Sequence, residues 1–378
     1  RAGFLCSNDA IQCCDRIVHA MAMLSMMRLG ADKLVLMSLF KQLQQAEHYI
    51  MTAQGIAEQF YGGKRRMEQG LLPFQGVMQG NGMGPIIWLA ISMVLIFIMH
   101  QMGLVAVFTS AMSASKVEFC GFLIVDDADL LCNAPDNETT WEEMLPQFQA
   151  MVDCWEENLR VTGGGINPDK SFWYLLDYRW NPATGKWLYL TKMEAPAVVS
   201  IREPNSEVRV ELQRLEPHEA RMTLGVEVAM DGNQERETEH LREKADRFAD
   251  NFRTAKGLEK NEAWVGILST VMATMRYPAA ATQLTEKQWD YVLAPIFQSG
   301  LPKAGITRMF PKAVLYKPML FQGLNIMHMF DYQELEHLRI LLQHGNKDTK
   351  LTALLKHSWE ALRLELGVSG SLPDWNYA

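Results

Sequence analysis

The sequence predicts an α+β fold that gives way to an all-helical region, and three observations carry that reading. Strand-type and helix-type patterns alternate up to about residue 232, where Asp231-Gly232-Asn233 forms a strong turn signal. Beyond it, Leu241, Ala245, Phe248 and Phe252 recur at helical spacing within 234–256. Between an apolar run at 119–124 and the shorter Leu130-Leu131-Cys132, the adjacent pair Asp126-Asp127 stands at the tip of an expected β-hairpin.

Each element rests on local chemistry. A short strand is expected at 4–7, then a helix over 10–29 closed by Gly30, since glycine readily takes the left-handed conformation that ends helices. A second helix spans 33–44 with Asp32 as its N-cap. Residues 47–76 alternate in polarity and contain Gly62-Gly63 beside Lys64-Arg65-Arg66, which suggests a hairpin with a basic tip. A glycine-rich segment and Pro85 then lead into a helix over 86–99, apolar all round and therefore expected to be covered on most faces. That run, bounded by Pro85 and His100, is about 14 residues long, short of the roughly 20 that a membrane-spanning helix requires. After the Asp126-Asp127 hairpin come a helix over 141–160, a turn at Gly163-Gly164-Gly165 and a strand-rich stretch over 171–228. Further helical runs cover 261–275, 287–297, 332–344 and 350–367, with 369–378 as a frayed tail.

Composition bounds the function more loosely. The chain has 378 residues, 48% of them hydrophobic, enough for two or three domains with sizeable cores. A net charge of -8 argues mildly against nucleic acid, because phosphate affinity comes from Lys and Arg, yet it averages a local acidic site with any local basic track. The six cysteines include no Cys-x-x-Cys pair, and the neighbours Cys13-Cys14 are poorly placed to bridge each other. That pattern indicates neither a disulfide framework nor a zinc knuckle, and it fits a reducing, intracellular setting. The chain opens on Arg1-Ala2-Gly3-Phe4-Leu5 without Met or a secretory signal and reads as an excised fragment. The 24 methionines fit adaptable core packing.

Two adjacent carboxylates repel each other and cannot be buried bare, so Asp126-Asp127 calls for a counter-charge, and a divalent cation suits it. Asp-Asp is also ordinary turn chemistry, and Asp9 taken alone reads as an N-cap for a helix starting at Ala10. Asp15 fits a salt bridge with Arg16 or a neighbouring helix, and Asp129 a solvated carboxylate near the acidic pair rather than a direct ligand.

The order of motifs is more specific than any member. Ser7-Asn8-Asp9-Ala10-Ile11-Gln12-Cys13-Cys14-Asp15-Arg16 is followed by Gly76-Val77-Met78-Gln79-Gly80 and then by Val125-Asp126-Asp127. Gly165-Ile166-Asn167-Pro168-Asp169-Lys170-Ser171 and Thr223-Leu224-Gly225-Val226 come next. In this order and spacing they resemble the palm motifs of reverse transcriptases, most closely those of non-LTR (LINE-like) retrotransposons. The resemblance implies a right-hand polymerase palm, an antiparallel sheet with packed helices, over 1–232 with partial fingers in the hairpin at about 47–76. It further implies a helical thumb over 233–320 and a C-terminal helical extension over 321–378. Phe321-Gln322-Gly323-Leu324-Asn325-Ile326 resembles a Gly-Gly-Leu-Gly-Ile stretch that follows the thumb in such elements.

The activity implied is RNA-directed DNA polymerisation, with two Mg²⁺ ions, or Mn²⁺, activating a primer 3′-hydroxyl and stabilising pyrophosphate. Asp9 and Asp126 match the metal-ligand positions with Asp127 beside them, and Lys170 matches a candidate general acid. Ala10, Cys14, Gln79 and Gly80 match nucleotide-binding positions, Leu224 and Gly225 a primer grip. Lys64, Arg65 and Arg66 are candidates for nucleic-acid contact, as are Lys303, Arg308, Lys312 and Lys317 along the duplex backbone. The implied partners are an RNA template, a DNA primer, dNTPs and an upstream fingers segment, with no membrane. The implied location is the cytoplasm, the nucleus or both.

Three positions depart from the family pattern. Cys14 stands where an aromatic ring would exclude a ribose 2′-hydroxyl, Ile124 replaces the aromatic residue before the Asp pair, and Asn81-Gly82-Met83-Gly84-Pro85 replaces a Leu-Ser-Pro-type ending. The alternative to an active enzyme is a decayed remnant, lacking fingers, that only binds nucleic acid. An unrelated carboxylate-metal enzyme such as a nuclease or nucleotide cyclase would lack the Gly-x-x-Gln-Gly and Leu-Gly-Val patterns.

Overall fold

Strict alternation of side chains in two segments builds the sheet that carries the acidic residues. Strands β1 (Gly3–Asp9) and β7 (Asp127–Asn133) each bury every second residue, Phe4, Cys6 and Asn8 in one and Ala128, Leu130 and Cys132 in the other. The computed structural model describes residues 1–11, 13–62, 69–70, 75–77, 82–204 and 206–370. They form two compact units, one of Arg1–Phe108 with Lys116–Glu216 and one of Thr109–Ser115 with the chain from Pro217 onward.

In the first unit, β1 lies between β7 and β8 (Phe172–Leu176), antiparallel to both. β6 (Gly121–Ile124) pairs with β7, and β13 (Gln213–Leu215) adds a parallel edge to β8, giving the order β13-β8-β1-β7-β6. The buried face meets helix Trp141–Val161, whose Thr140 and Glu143 form a reciprocal capping box. Phe4 stacks on Phe148 of that helix with centroids 4.7 Å apart, and burying such a ring contributes roughly 1.5–3 kcal/mol. Asn8 is the polar exception on this face. Its Nδ2 donates to the Ala128 carbonyl at 2.9 Å, and its Oδ1 accepts from Trp155 Nε1 at 2.9 Å. Both ends of the buried amide are thus satisfied.

Several expectations need correction. The helix expected over 10–29 is two, Cys13–Arg16 and His19–Arg28, with β1 running on to Asp9. The break at Ile17-Val18 arises because other segments take its backbone groups. Val18 N–H donates to Thr162 O at 2.9 Å, and Ile17 O and Cys14 O accept from Gly76 and Val77 at 2.7 Å each. A Cβ on Gly76 would come within 2.3 Å of the Asp15 carbonyl, and one on Gly163 within 2.1 Å of the Arg16 carbonyl, so only glycine permits these approaches. The hairpin at 47–76 is real but shorter. β2 (Glu47–Thr52) turns into β3 (Gly55–Gly62) at Ala53-Gln54, not at a basic tip, because Gly55 takes the left-handed backbone (φ 126) there. Lys64, Arg65 and Arg66 lie outside the described residues, as do Gln79, Gly80 and most of the expected tail.

The apolar helix runs Gly84–Gln101, longer than expected, and by length and composition alone it is apolar enough to cross a membrane. It is not covered all round. Ile87, Ile91, Leu95 and Met99 are buried, whereas Ile86, Leu89, Met93 and Phe97 leave an exposed stripe. Asp32 caps Lys33–Gln45 as expected, its carboxylate accepting from Leu34 and Val35 amides at 2.8 and 3.0 Å.

In the second unit, helices Glu235–Thr254, Lys260–Val265, Met272–Arg276 and Glu286–Lys303 surround Leu241, Ala245, Ile267, Met275, Val292 and Ile296. Ile326 and Met329, which the expected boundary at 320 would separate, pack into this same core. Gln333 of helix Met329–His344 is buried, and its Oε1 accepts from Trp289 Nε1 at 3.1 Å and Leu284 N at 3.0 Å. The segment 217–232 groups with these helices rather than with the sheet.

Candidate active site

Register decides which carboxylates meet. β1 and β7 pair so that Asp9 lies directly opposite Asp127 and Ser7 opposite Asp129, all on the face of the sheet away from the core. Asp126 is not in this row. It occupies the exposed two-residue turn with Val125, and its carbonyl accepts from Ala10 N–H at 2.9 Å. The sequence pairs Asp9 with Asp126, and the ladder instead sets Asp127 across from Asp9.

The turn is held in a costly shape. Val125 has φ 55, a left-handed conformation that β-branched residues avoid, and the indole Nε1 of Trp88 donates to its carbonyl. Asp9 is fixed from the other side by the loop after Gly165. Asn167 N–H donates to Asp9 O at 2.9 Å, Ser171 Oγ accepts from Asp9 N–H at 3.3 Å, and the Ser171 hydroxyl donates to Asn167 O at 2.6 Å. Asp9 is thus the end of a strand, not the N-cap expected from its sequence context, because no helix begins at Ala10.

Lys170, on the same loop, brings Nζ to 3.4 Å from Asp9 Oδ2. Its side chain is 67% exposed, and such a pair is worth little in stability, about 0–1 kcal/mol, so the contact matters as positioning. Burial, then the charges of Asp126, Asp9 and Asp129, push the Asp127 carboxyl above the usual range, with Lys170 opposing. Burial likewise raises Asp129, and a hydrogen bond with Ser7 opposes it. The face is therefore crowded with negative charge.

Among the described residues, no three His, Cys, Asp or Glu side chains come together closely enough to hold an ion by themselves. Two opposed carboxylates still suit Mg²⁺, which takes one or two protein oxygens and fills its shell with water and phosphate oxygens. The raised Asp127 carboxyl is the observation that such a cation would relieve.

The other expected residues fall as follows. Ala10 bridges to Ile166, and its side chain is buried in the core rather than open to a ligand. Cys14, on the short helix Cys13–Arg16, is partly buried against the same core. In the second unit, Leu224 (φ 51) and Gly225 (φ 82) form the tip of a hairpin between Arg221–Thr223 and Val226–Val228. The left-handed backbone at both residues makes this a tight hairpin turn. Tyr277 Oη donates to Leu224 O at 2.6 Å and closes over Gly225.

Of the basic residues, Lys303 and Arg308 line a cleft of about 490 Å³ with Arg253. Lys303 Nζ also donates to Ala255 O at 3.1 Å, and Lys312 is paired with Asp290 at 2.6 Å, which engages two of the four cations expected along a duplex. Sequence reading gave no role to Trp88, Ser171 or Tyr277; Ser171 closes the Gly165–Ser171 motif, whereas Trp88 and Tyr277 lie outside every motif. Asn8, a polar residue at an inward strand position, was the one visible signal.

No protein-family model and no curated protein matches this chain. Among solved structures it is similar to telomerase from Candida tropicalis, at 11% identity and a TM-score of 0.33, with 94% of this chain and 49% of that one covered. It is also similar to telomerase from Candida albicans, at 13% identity and a TM-score of 0.34, with 95% and 49% covered. Both telomerases are in complex with a TWJ fragment of telomeric RNA, and this chain spans about half the length of each. At these TM-scores the likeness is loose and carries no weight for function.

Proposed function

We propose that this chain is the palm and thumb region of an RNA-directed DNA polymerase of the non-LTR retrotransposon type. The observation that carries the reading is the opposition of Asp9 and Asp127 on one sheet face, with Lys170 Nζ 3.4 Å from Asp9. Residues far apart in sequence, each in a motif the family resemblance assigns to metal or proton chemistry, meet at one place.

The ladder fixes the spacing of the two carboxylates, and the Asn167–Ser171 loop holds the Asp9 backbone, so the acidic face is preorganised. Two Mg²⁺ ions, or Mn²⁺, would activate the primer 3′-hydroxyl and offset charge on the departing pyrophosphate. Asp9 and Asp127 are the residues to hold them, with Asp126 available from the turn. Lys170 balances Asp9 and carries protons on Nζ that a leaving pyrophosphate oxygen can take. The template, primer and dNTPs bind across this face, and the work takes place inside the cell, in cytoplasm or nucleus.

The test is primer extension by the full chain on an RNA template with dNTPs and either metal. Extension is expected, with a loss of roughly 10²-fold or more in Asp9→Asn and Asp127→Asn. Duplex binding without extension by the parent chain under both metals overturns the polymerase and leaves the binding-only remnant.

A further inference from the structure

A second site lies away from the acidic face, in the same unit. Strands Tyr178–Asn181 and Lys186–Tyr189 pair Tyr178 with Tyr189 and Trp180 with Trp187, so four rings share one face of a two-stranded ribbon. Their centroids are 4.8 and 5.3 Å apart, and Trp187 is 66% exposed. Tyr178 and Trp187 join Trp141 in walling a cleft of about 700 Å³.

Charge selects the ligand. Glu138, Glu142 and Asp177 line the cleft, and among the described residues none of them is ion-paired with Lys or Arg. The single cation present, Arg1, spends its Nε on Asn137 Oδ1 at 3.2 Å. At the start of helix Trp141–Val161, which would favour an anion, the Glu143 carboxylate already accepts from the Thr140 amide in the capping box. A nucleic-acid stacking platform pairs exposed aromatics with a basic groove, and here the groove is acidic. Aromatic faces rimmed by carboxylates suit a cation, above all a guanidinium, which stacks on indole and donates in a fork to carboxylates.

We infer that this cleft binds an arginine-rich peptide segment of a partner protein. One guanidinium lies over Trp187 or Tyr178 and donates to the rim carboxylates.

The experiment is fluorescence anisotropy of a labelled octa-arginine peptide with the full chain. The background is Asp9→Asn/Asp127→Asn, so that the acidic sheet face does not contribute. Binding is expected to persist in that background. Trp187→Ala, at an exposed position, and the triple change Glu138→Gln/Glu142→Gln/Asp177→Asn should each weaken it roughly tenfold or more, with unchanged circular dichroism. Equal affinity in either variant overturns the proposal. So does displacement of the peptide from this cleft by an oligothymidylate whose own binding depends on Trp187, which would mark the ribbon as a nucleic-acid platform.

Discussion

Replacing Asp127 with Asn removes the charge that the ladder holds opposite Asp9. Directly opposed residues have Cβ atoms about 4.5–5.5 Å apart. Two unit charges near 5 Å repel by about 3 kcal/mol at an effective dielectric near 20. Solvent and the Lys170 ammonium screen most of that, because Asp127 is only partly buried, which leaves about 1 kcal/mol in favour of the variant. In a unit of this size that corresponds to about 2–4 °C in Tm. The advantage depends on pH. The folded-state carboxyl of Asp127 titrates above its unfolded value, so between the two the native state holds more protons, and stability falls as pH rises through that window. Asp127→Asn should therefore match the parent below the ordinary carboxylate range and exceed it at neutral pH. Mg²⁺ bound between the two carboxylates, as proposed, should reverse the order. With a Kd of about 1 mM, about 10 mM Mg²⁺ stabilises the parent by about 1.4 kcal/mol and leaves the variant unmoved. Scanning calorimetry of both chains at acidic and neutral pH, with and without Mg²⁺, reads all four quantities. A variant less stable than the parent at neutral pH, together with a parent indifferent to Mg²⁺, refutes the electrostatic argument.

Three further substitutions probe the surroundings. Gly225→Ala places a methyl at φ 82 and 3.3 Å from the Tyr277 ring, and should lower urea stability by about 1–2 kcal/mol; no loss would contradict the tight turn. Val125→Asn exchanges a β-branched residue at φ 55 for one that tolerates the conformation, and should raise stability by about 1 kcal/mol in the same assay, a loss counting against strain in the turn. Cys14→Tyr should improve selection of deoxyribonucleotides over ribonucleotides roughly tenfold in primer extension if the position gates the sugar, and equal selectivity would remove it from that role.

Much of the fold could be read from the residues because the signals were local. The strand begun at Phe4, the hairpin around Asp126-Asp127, the Asp32 cap and the helical spacing of Leu241, Ala245 and Phe252 each follow from a few neighbours. Where a distant segment intervenes, local patterning fails. The run 10–29 has helical character throughout, yet the backbone at 14–18 is claimed by Gly76, Val77 and Thr162, which no spacing within the run reveals. The stripe Ile86, Leu89, Met93 and Phe97 looked as buried as its neighbours because apolar residues surround it in sequence, and only the packing leaves it exposed. At the candidate site, the acidic motifs were visible but their register was not. Whether Asp126 or Asp127 faces Asp9 depends on a turn that closes on Val125-Asp126, with Val125 in a conformation its side chain disfavours.

The central claim is that Asp9 and Asp127 together form a cation site. Crystals of the chain soaked in Mn²⁺ and measured at the manganese absorption edge test it directly. An anomalous peak is expected between the two carboxylates, with Lys170 drawn away from Asp9. A dataset in which manganese binds elsewhere, or in which Lys170 keeps its place against Asp9 at saturating metal, would contradict it.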